Sequence, residues 1–102
     1  MTHVRVWKFR PPDGCGPTFA EAYGDTGAWA RLFSMAPGFV GTALLGPADP
    51  GGWWLTLDRW QSRADFEAFQ RDFGDEYHLL DAELEGIAGE ELFVGAFEEG
   101  EA

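Results

Sequence analysis

The feature that most limits how this chain can fold is the switching of its hydrophobic period between two residues and about 3.6, with Gly and Pro at the changes. Val4, Val6 and Lys8 alternate with Arg5, Trp7 and Phe9, which makes His3–Arg10 a strand ended by Pro11-Pro12-Asp13-Gly14. Helical spacing comes next: Phe19 and Tyr23 share a face behind a Thr18/Glu21 capping box, and Ala28–Ala36 lines up Trp29, Leu32, Phe33 and Ala36. Past Pro37-Gly38, Phe39–Leu45 and Trp53–Trp60 are strands on either side of the turn-rich Gly46–Gly52, and so form a hairpin. Ser62, with Asp65 three residues on, caps one long helix whose apolar face is Phe66, Phe69, Phe73, Tyr77, Leu80, Leu84 and Ile87. Gly86 and Gly89 stop it, and Glu91–Glu98 is a last strand. The order is β-α-β-β-α-β. Its compact solution is an α+β, ferredoxin-like four-stranded antiparallel sheet with the helices on one face, in a single domain spanning residues 1–102.

Such a sheet leaves its second face bare, and the bare face should be polar if it meets water. Here strict alternation makes both faces apolar. Trp53, Leu55 and Leu57 oppose Trp54, Thr56 and Trp60; Phe39, Ala43 and Leu45 oppose Val40 and Leu44; Leu92, Val94 and Ala96 oppose Phe93 and Phe97. An exposed patch of that extent exceeds the few hundred Å² found on ordinary monomers. A homodimer with sheets packed face to face about a two-fold axis is expected. Part of the load of nine Phe, five Trp and two Tyr then belongs to an intersubunit seam.

The net charge of −11 is uneven. Residues 1–60 balance five acids with five bases, whereas the last 42 residues hold thirteen acids and only Arg63 and Arg71. This surface repels phosphate backbones, which argues against nucleic acid and anionic membranes as partners. It reads as a solvated helix face with an acidic tail at about 98–102 (Glu98, Glu99, Glu101), leaving the seam uncharged. No apolar run reaches the roughly 18 residues of a membrane span. Met1–Arg10 lacks the layout of a signal peptide, and the lone Cys15 permits no internal disulfide, so a cytoplasmic protein is expected.

Pro37-Gly38-Phe39 before the second strand, Trp60-Gln61-Ser62 leading into Asp65-Phe66 and Phe69, and the element order resemble the antibiotic biosynthesis monooxygenase family over nearly the whole chain. The resemblance implies a dimeric α+β barrel with a cavity inside each subunit, between sheet and helices. It implies a cofactor-independent monooxygenase acting on an aromatic or quinol-type small molecule. A non-catalytic dimeric barrel binding a small hydrophobic ligand is an alternative, as is a haem-binding or haem-degrading relative. The haem-degrading branch carries an Asn, a Trp and a His; here these positions fall on Trp7, on Phe69 and within a residue of His78.

His78 is the candidate base, since imidazole moves protons near neutral pH; the competing reading is a surface His paired with Asp81. Tyr77 reads as a core ring or a substrate contact. Trp7, Trp29, Phe33 and Phe69 should cluster between sheet and helices, as core or as a wall for a planar ligand. Arg5 shares a face with Trp7 and either meets an anionic or phenolate oxygen or points to solvent. Cys15 has no partner base in sequence. His3 and His78 do not suggest a metal site, and no glycine pattern suggests a nucleotide cofactor. Oxygen chemistry would therefore rely on the substrate.

Overall fold

A computed structural model describes residues 1–100. The elements are β1 (Thr2–Arg10), α1 (Gly16–Tyr23), α2 (Ala28–Phe33), β2 (Phe39–Leu45), β3 (Trp54–Trp60), α3 (Arg63–Asp72), α4 (Gly74–Ala88) and β4 (Glu90–Glu99). The four strands form one antiparallel sheet in the order β2-β3-β1-β4, with the hairpin partners adjacent and the two helical crossovers closing on one face. This is the expected ferredoxin-like α+β arrangement. Among the described residues, no helix is long and apolar enough to cross a membrane.

Between sheet and helices lies an aromatic core. Phe19 and Trp60 are fully buried, with Phe9, Tyr23, Trp29, Phe33 and Phe69 around them. Phe19 and Tyr23 stack at 4.3 Å, and Phe33 meets Phe69 edge-on at 5.1 Å. Offset and edge-to-face pairs of this kind add stabilisation beyond their buried area.

Several local features differ from expectation. The long helix is two, because Phe73 leaves helical geometry (φ −123°, ψ 21°) just before Gly74. Little hydrogen bonding is lost: the Phe73 N–H still donates to the Phe69 carbonyl, and the Phe73 carbonyl still accepts from Tyr77 N–H. Gly74 lowers the helical preference at this point, and the break lets α3 pack on β3 while α4 packs on α1 and α2. Gly86 is absorbed into α4, whose stop is Gly89 at φ 65°. At α1 the N-cap is Cys15, not a Thr18 capping box; Pro17 in the first turn supplies a fixed helical φ instead. Ser62 does cap α3, accepting from Asp65 N–H while donating to the Asp65 carboxylate. β3 begins at Trp54, one residue later than expected. Glu98 and Glu99 are strand residues and not a loose tail, since Glu98 meets His3 at 3.2 Å and Glu99 meets Arg59 at 3.1 Å. Glu101 lies outside the described residues.

The larger correction concerns strand parity. Both outer strands carry an irregularity: Phe39 pairs with Trp60 and Gly41 with Arg59, leaving Val40 extra, while Trp7 pairs with Phe93 and Val6 with Gly95, leaving Val94 extra. Each extra residue reverses the facing of the strand beyond it. Phe39 therefore joins Thr42 and Leu44 on the helix side, and Leu92 and Phe97 share the open face from which Phe93 is turned away. Nor is the open face uncharged. Lys8 and Arg10 both lie against the Trp53 ring there, at 4.6 and 4.2 Å, and Arg10 pairs with Glu90.

Candidate active site

A cavity of about 290 Å³ opens between the sheet and the helices. The inward parity of β1 presents Arg5, Trp7 and Phe9, and that of β3 presents Thr56, Asp58 and Trp60. Tyr23 from α1 and Trp29 and Phe33 from α2 form one wall. Phe66 and Gln70 from α3, then Tyr77, His78 and Asp81 from α4, form another, and Glu91 stands at the start of β4. Mostly apolar walls with a few convergent polar groups are the usual character of a small-molecule site.

Asp58 is the central polar group. Antiparallel pairing puts it opposite Arg5 on β1 and opposite Thr42 on β2. The Thr42 hydroxyl donates to its carboxylate at 2.8 Å. Burial pushes the Asp58 carboxyl up to about 6, against the opposing pull of the Thr42 hydrogen bond and the Arg5 charge. The carboxyl can then hold or release a proton near neutral pH, as a general base requires.

Arg5 does not close an ion pair on Asp58. Its guanidinium lies 4.0 Å from the centre of the Phe66 ring and 4.7 Å from that of Phe93, a cation–π clamp that aims it along the cavity wall. Burial, then repulsion from Arg63, lowers its pKa from the ordinary guanidinium value. Tyr23 is pushed up to about 12, first by burial and then, against its contact with the Trp29 side chain, by the carboxylates of Glu91 and Asp81. Tyr77 moves the same way, through burial and then Asp81, Glu91 and Asp58. Both phenols therefore keep their protons near neutral pH and are available as hydrogen-bond donors to a ligand. Glu91 is raised by burial and by the neighbouring Asp81 and Glu85.

The structure brings Arg5, Trp7, Trp29, Phe33, Tyr77 and His78 to this one cavity. Phe69 stands apart from them, 1% exposed in the core behind Phe33 and Trp60. His78 is exposed at the mouth, edge-on to Tyr77 at 5.7 Å. Among the described residues it makes no hydrogen bond or ion pair, so Asp81 does not hold its ring. Cys15 lies at the start of α1 and is not part of the cavity wall. No cluster of potential metal ligands occurs among the described residues. Sequence reasoning passed over Asp58, Thr56, Tyr23, Gln70 and Glu91 as site residues. For Asp58 the signal was present: it occupies the inward register of Trp54, Thr56 and Trp60.

No protein-family model matches the chain, and no curated protein does. Solved structures do match. A mutant of SnoaB, a cofactor-independent oxygenase from Streptomyces nogalater, aligns at TM-score 0.70 and 18% identity, covering 99% of this chain and 95% of that one. A mutant of MhuD, with two manganese protoporphyrin IX molecules bound per active site, aligns at TM-score 0.69 and 21% identity over 95% and 93% of the two chains. The heme-degrading protein Rv3592 from Mycobacterium tuberculosis aligns at TM-score 0.60 and 24% identity over 96% and 93%. Near-complete coverage in both directions at this level of identity concerns the backbone, and it establishes the fold alone: the chain shares the α+β architecture of these solved structures.

Proposed function

We propose that this protein is a cofactor-independent monooxygenase that oxidises a flat, electron-rich phenol or quinol, with Asp58 as its base. One observation carries the reading: a carboxyl group raised to about 6 by burial lies on the floor of an aromatic-walled cavity of about 290 Å³. SnoaB, a cofactor-independent oxygenase of the same fold, supports it.

The chemistry derives from the geometry. The aromatic walls hold the planar substrate and exclude water. Asp58 removes a proton, and Arg5 and the Tyr23 hydroxyl stabilise the developing oxyanion. In a substrate with a methylene group para to the phenolic oxygen, the resulting carbanion gives electrons to dioxygen and a C–O bond forms. The peroxide takes the proton back from Asp58. Loss of the second methylene proton to Asp58 then breaks the O–O bond, leaving a ketone and water. The methylene carbon loses four electrons and dioxygen gains four, so no outside reductant is consumed. His78 at the mouth exchanges protons between Asp58 and solvent.

Oxygen uptake with an anthrone tests this. The expected result is uptake by the wild type that rises as pH passes through about 6 and falls at least ~100-fold in Asp58→Asn. Unchanged uptake in that variant would refute the role of Asp58, and haemin binding without anthrone oxidation would favour a haem-related protein instead. We also propose that the protein is a homodimer joined through the open sheet face, where Leu45, Leu92 and Phe97 are each about half exposed. Cys15, a free thiol, accords with the cytoplasm as its compartment.

A further inference from the structure

We infer that Phe66 and Phe93 are positioning residues: their rings hold the Arg5 guanidinium away from Asp58, the carboxylate it faces across β1 and β3, so that base and cation stay separate in one cavity. The inference rests on the reading of Asp58 as the base, and it names what keeps that carboxyl free to act. Directly opposed residues of an antiparallel pair have Cβ atoms about 5 Å apart, and opposite charges so placed attract. Arg5 and Asp58 are such a pair, and both line the cavity. An ion pair is the ordinary outcome, the more so where burial weakens screening. Arg63 on α3 repels Arg5, which makes a carboxylate partner more favourable still. Yet Arg5 has no ion-pair partner among the described residues. Its guanidinium lies instead against two rings, 4.0 Å from the centre of Phe66 and 4.7 Å from that of Phe93.

Each ring is brought to Arg5 by a feature of its own element. Phe66 lies in the first turn of α3, behind the Ser62 cap, and the fully buried Trp60 braces it edge-on at 5.7 Å. Phe93 owes its place to the irregularity in β4. With Val94 extra, Phe93 pairs opposite Trp7 and packs on its ring at 5.1 Å. Without that residue Phe93 would turn to the open face and leave Arg5 with one ring. The separation matters to both charged groups. A carboxylate paired with a guanidinium stays ionised well below neutral pH, and the guanidinium in turn has less attraction left for a ligand oxygen. Held apart, Asp58 keeps only the Thr42 hydroxyl at 2.8 Å, and the pull of Arg5 on it ranks behind burial and that hydrogen bond. The other titratable groups of the cavity wall are Tyr23 on α1, Tyr77, His78 and Asp81 on α4, and Glu91 on β4. Arg5 is the cation that stands opposite Asp58 in register.

Carboxyl-carbon NMR of the full chain, titrated with pH, tests this; the Asp58 signal is the one missing from Asp58→Asn. Phe66→Leu and Phe93→Leu should each lower the Asp58 midpoint, and together by about one pH unit or more, as Arg5 swings onto the carboxylate. Phe93→Tyr keeps a ring at that place and should leave the midpoint where it is. Water admitted by the smaller side chains would also lower the midpoint, so both leucines are introduced again beside Arg5→Gln. There the fall should vanish, because no guanidinium remains to reach Asp58. An unmoved midpoint in the leucine variants overturns the inference, and so does a fall that persists without Arg5. Phe93 is 43% exposed, so Phe93→Leu leaves the core intact and decides the matter if the double variant does not fold. The titration needs no turnover, which separates the two claims when oxygen uptake with an anthrone is measured alongside. A midpoint that moves as expected in a protein without uptake retains the clamp and removes the oxygenase, and uptake with an unmoved midpoint does the reverse.

Discussion

Replacing Asp58 by Asn should stabilise the protein, and the gain should depend on pH. Asp58 sits at about 6 against an ordinary 3.8, because burial disfavours its charged form. A carboxyl raised on folding takes up a proton as the chain folds, so its contribution is most favourable below about pH 4. That contribution is lost as pH rises from 3.8 through about 6, and above this a constant penalty remains. At about 1.4 kcal/mol per pH unit, the displacement corresponds to roughly 3 kcal/mol. Residual solvent access in an open cavity reduces this to about 1–2 kcal/mol. Asn removes the penalty and keeps an oxygen to accept from Thr42. Urea unfolding monitored by tryptophan fluorescence should therefore show the variant more stable by about 1–2 kcal/mol near pH 8, with the difference vanishing near pH 4. The same substitution abolishes the proposed activity, a trade of stability for function common at active sites. A variant no more stable than wild type near pH 8, or a gain independent of pH, would refute the argument that Asp58 is a desolvated base.

Two further substitutions probe the scaffold. Gly38, at φ 89°, lies so close to Asp65 that an added Cβ would collide with its side chain, and its carbonyl accepts from Gln61 N–H at 2.7 Å. Gly38→Ala combines backbone strain with that clash, and should cost about 2 kcal/mol or more in a chemical denaturation experiment. Phe97→Asp places a charge on the apolar open face and should leave a folded monomer in sedimentation experiments where the wild type is a dimer; a monomeric wild type at micromolar concentration would remove the dimer proposal.

The element order was legible because period two and the helical period differ sharply, and Pro or Gly stood at each change. Parity was misread in β2 and β4, since alternation presumes one residue per rung. The clue lay in Val40-Gly41 and Val94-Gly95, each a glycine inside a strand, which is a common mark of a bulge. Gly74 likewise marked the bend between α3 and α4. Within the site, Arg5 and Trp7 were readable because β1 is regular, and Tyr77 and His78 because α4 presents them together. Asp58 was overlooked because counting apolar residues discards the polar residue placed among them, which is where a site differs from a core. Glu91 depends on the turn at Gly89, and nothing in local periodicity reveals which helix meets it. Phe69 has the spacing of a wall residue, but its depth is set by how closely α3 packs on Trp60 and Phe33.

The irregularities of β2 and β4 also bear on how the molecule behaves when crowded. These are the two edges of the sheet, and each has one residue out of step with its neighbour. A strand approaching either edge from another molecule meets a locally bent template, unsuited to continuous pairing. Sideways growth from copy to copy is thereby obstructed, even though the strands are rich in aromatic and branched residues that would otherwise favour fibrils. Straightening either edge by deleting Val40 or Val94 would remove that protection from an otherwise ordered fold.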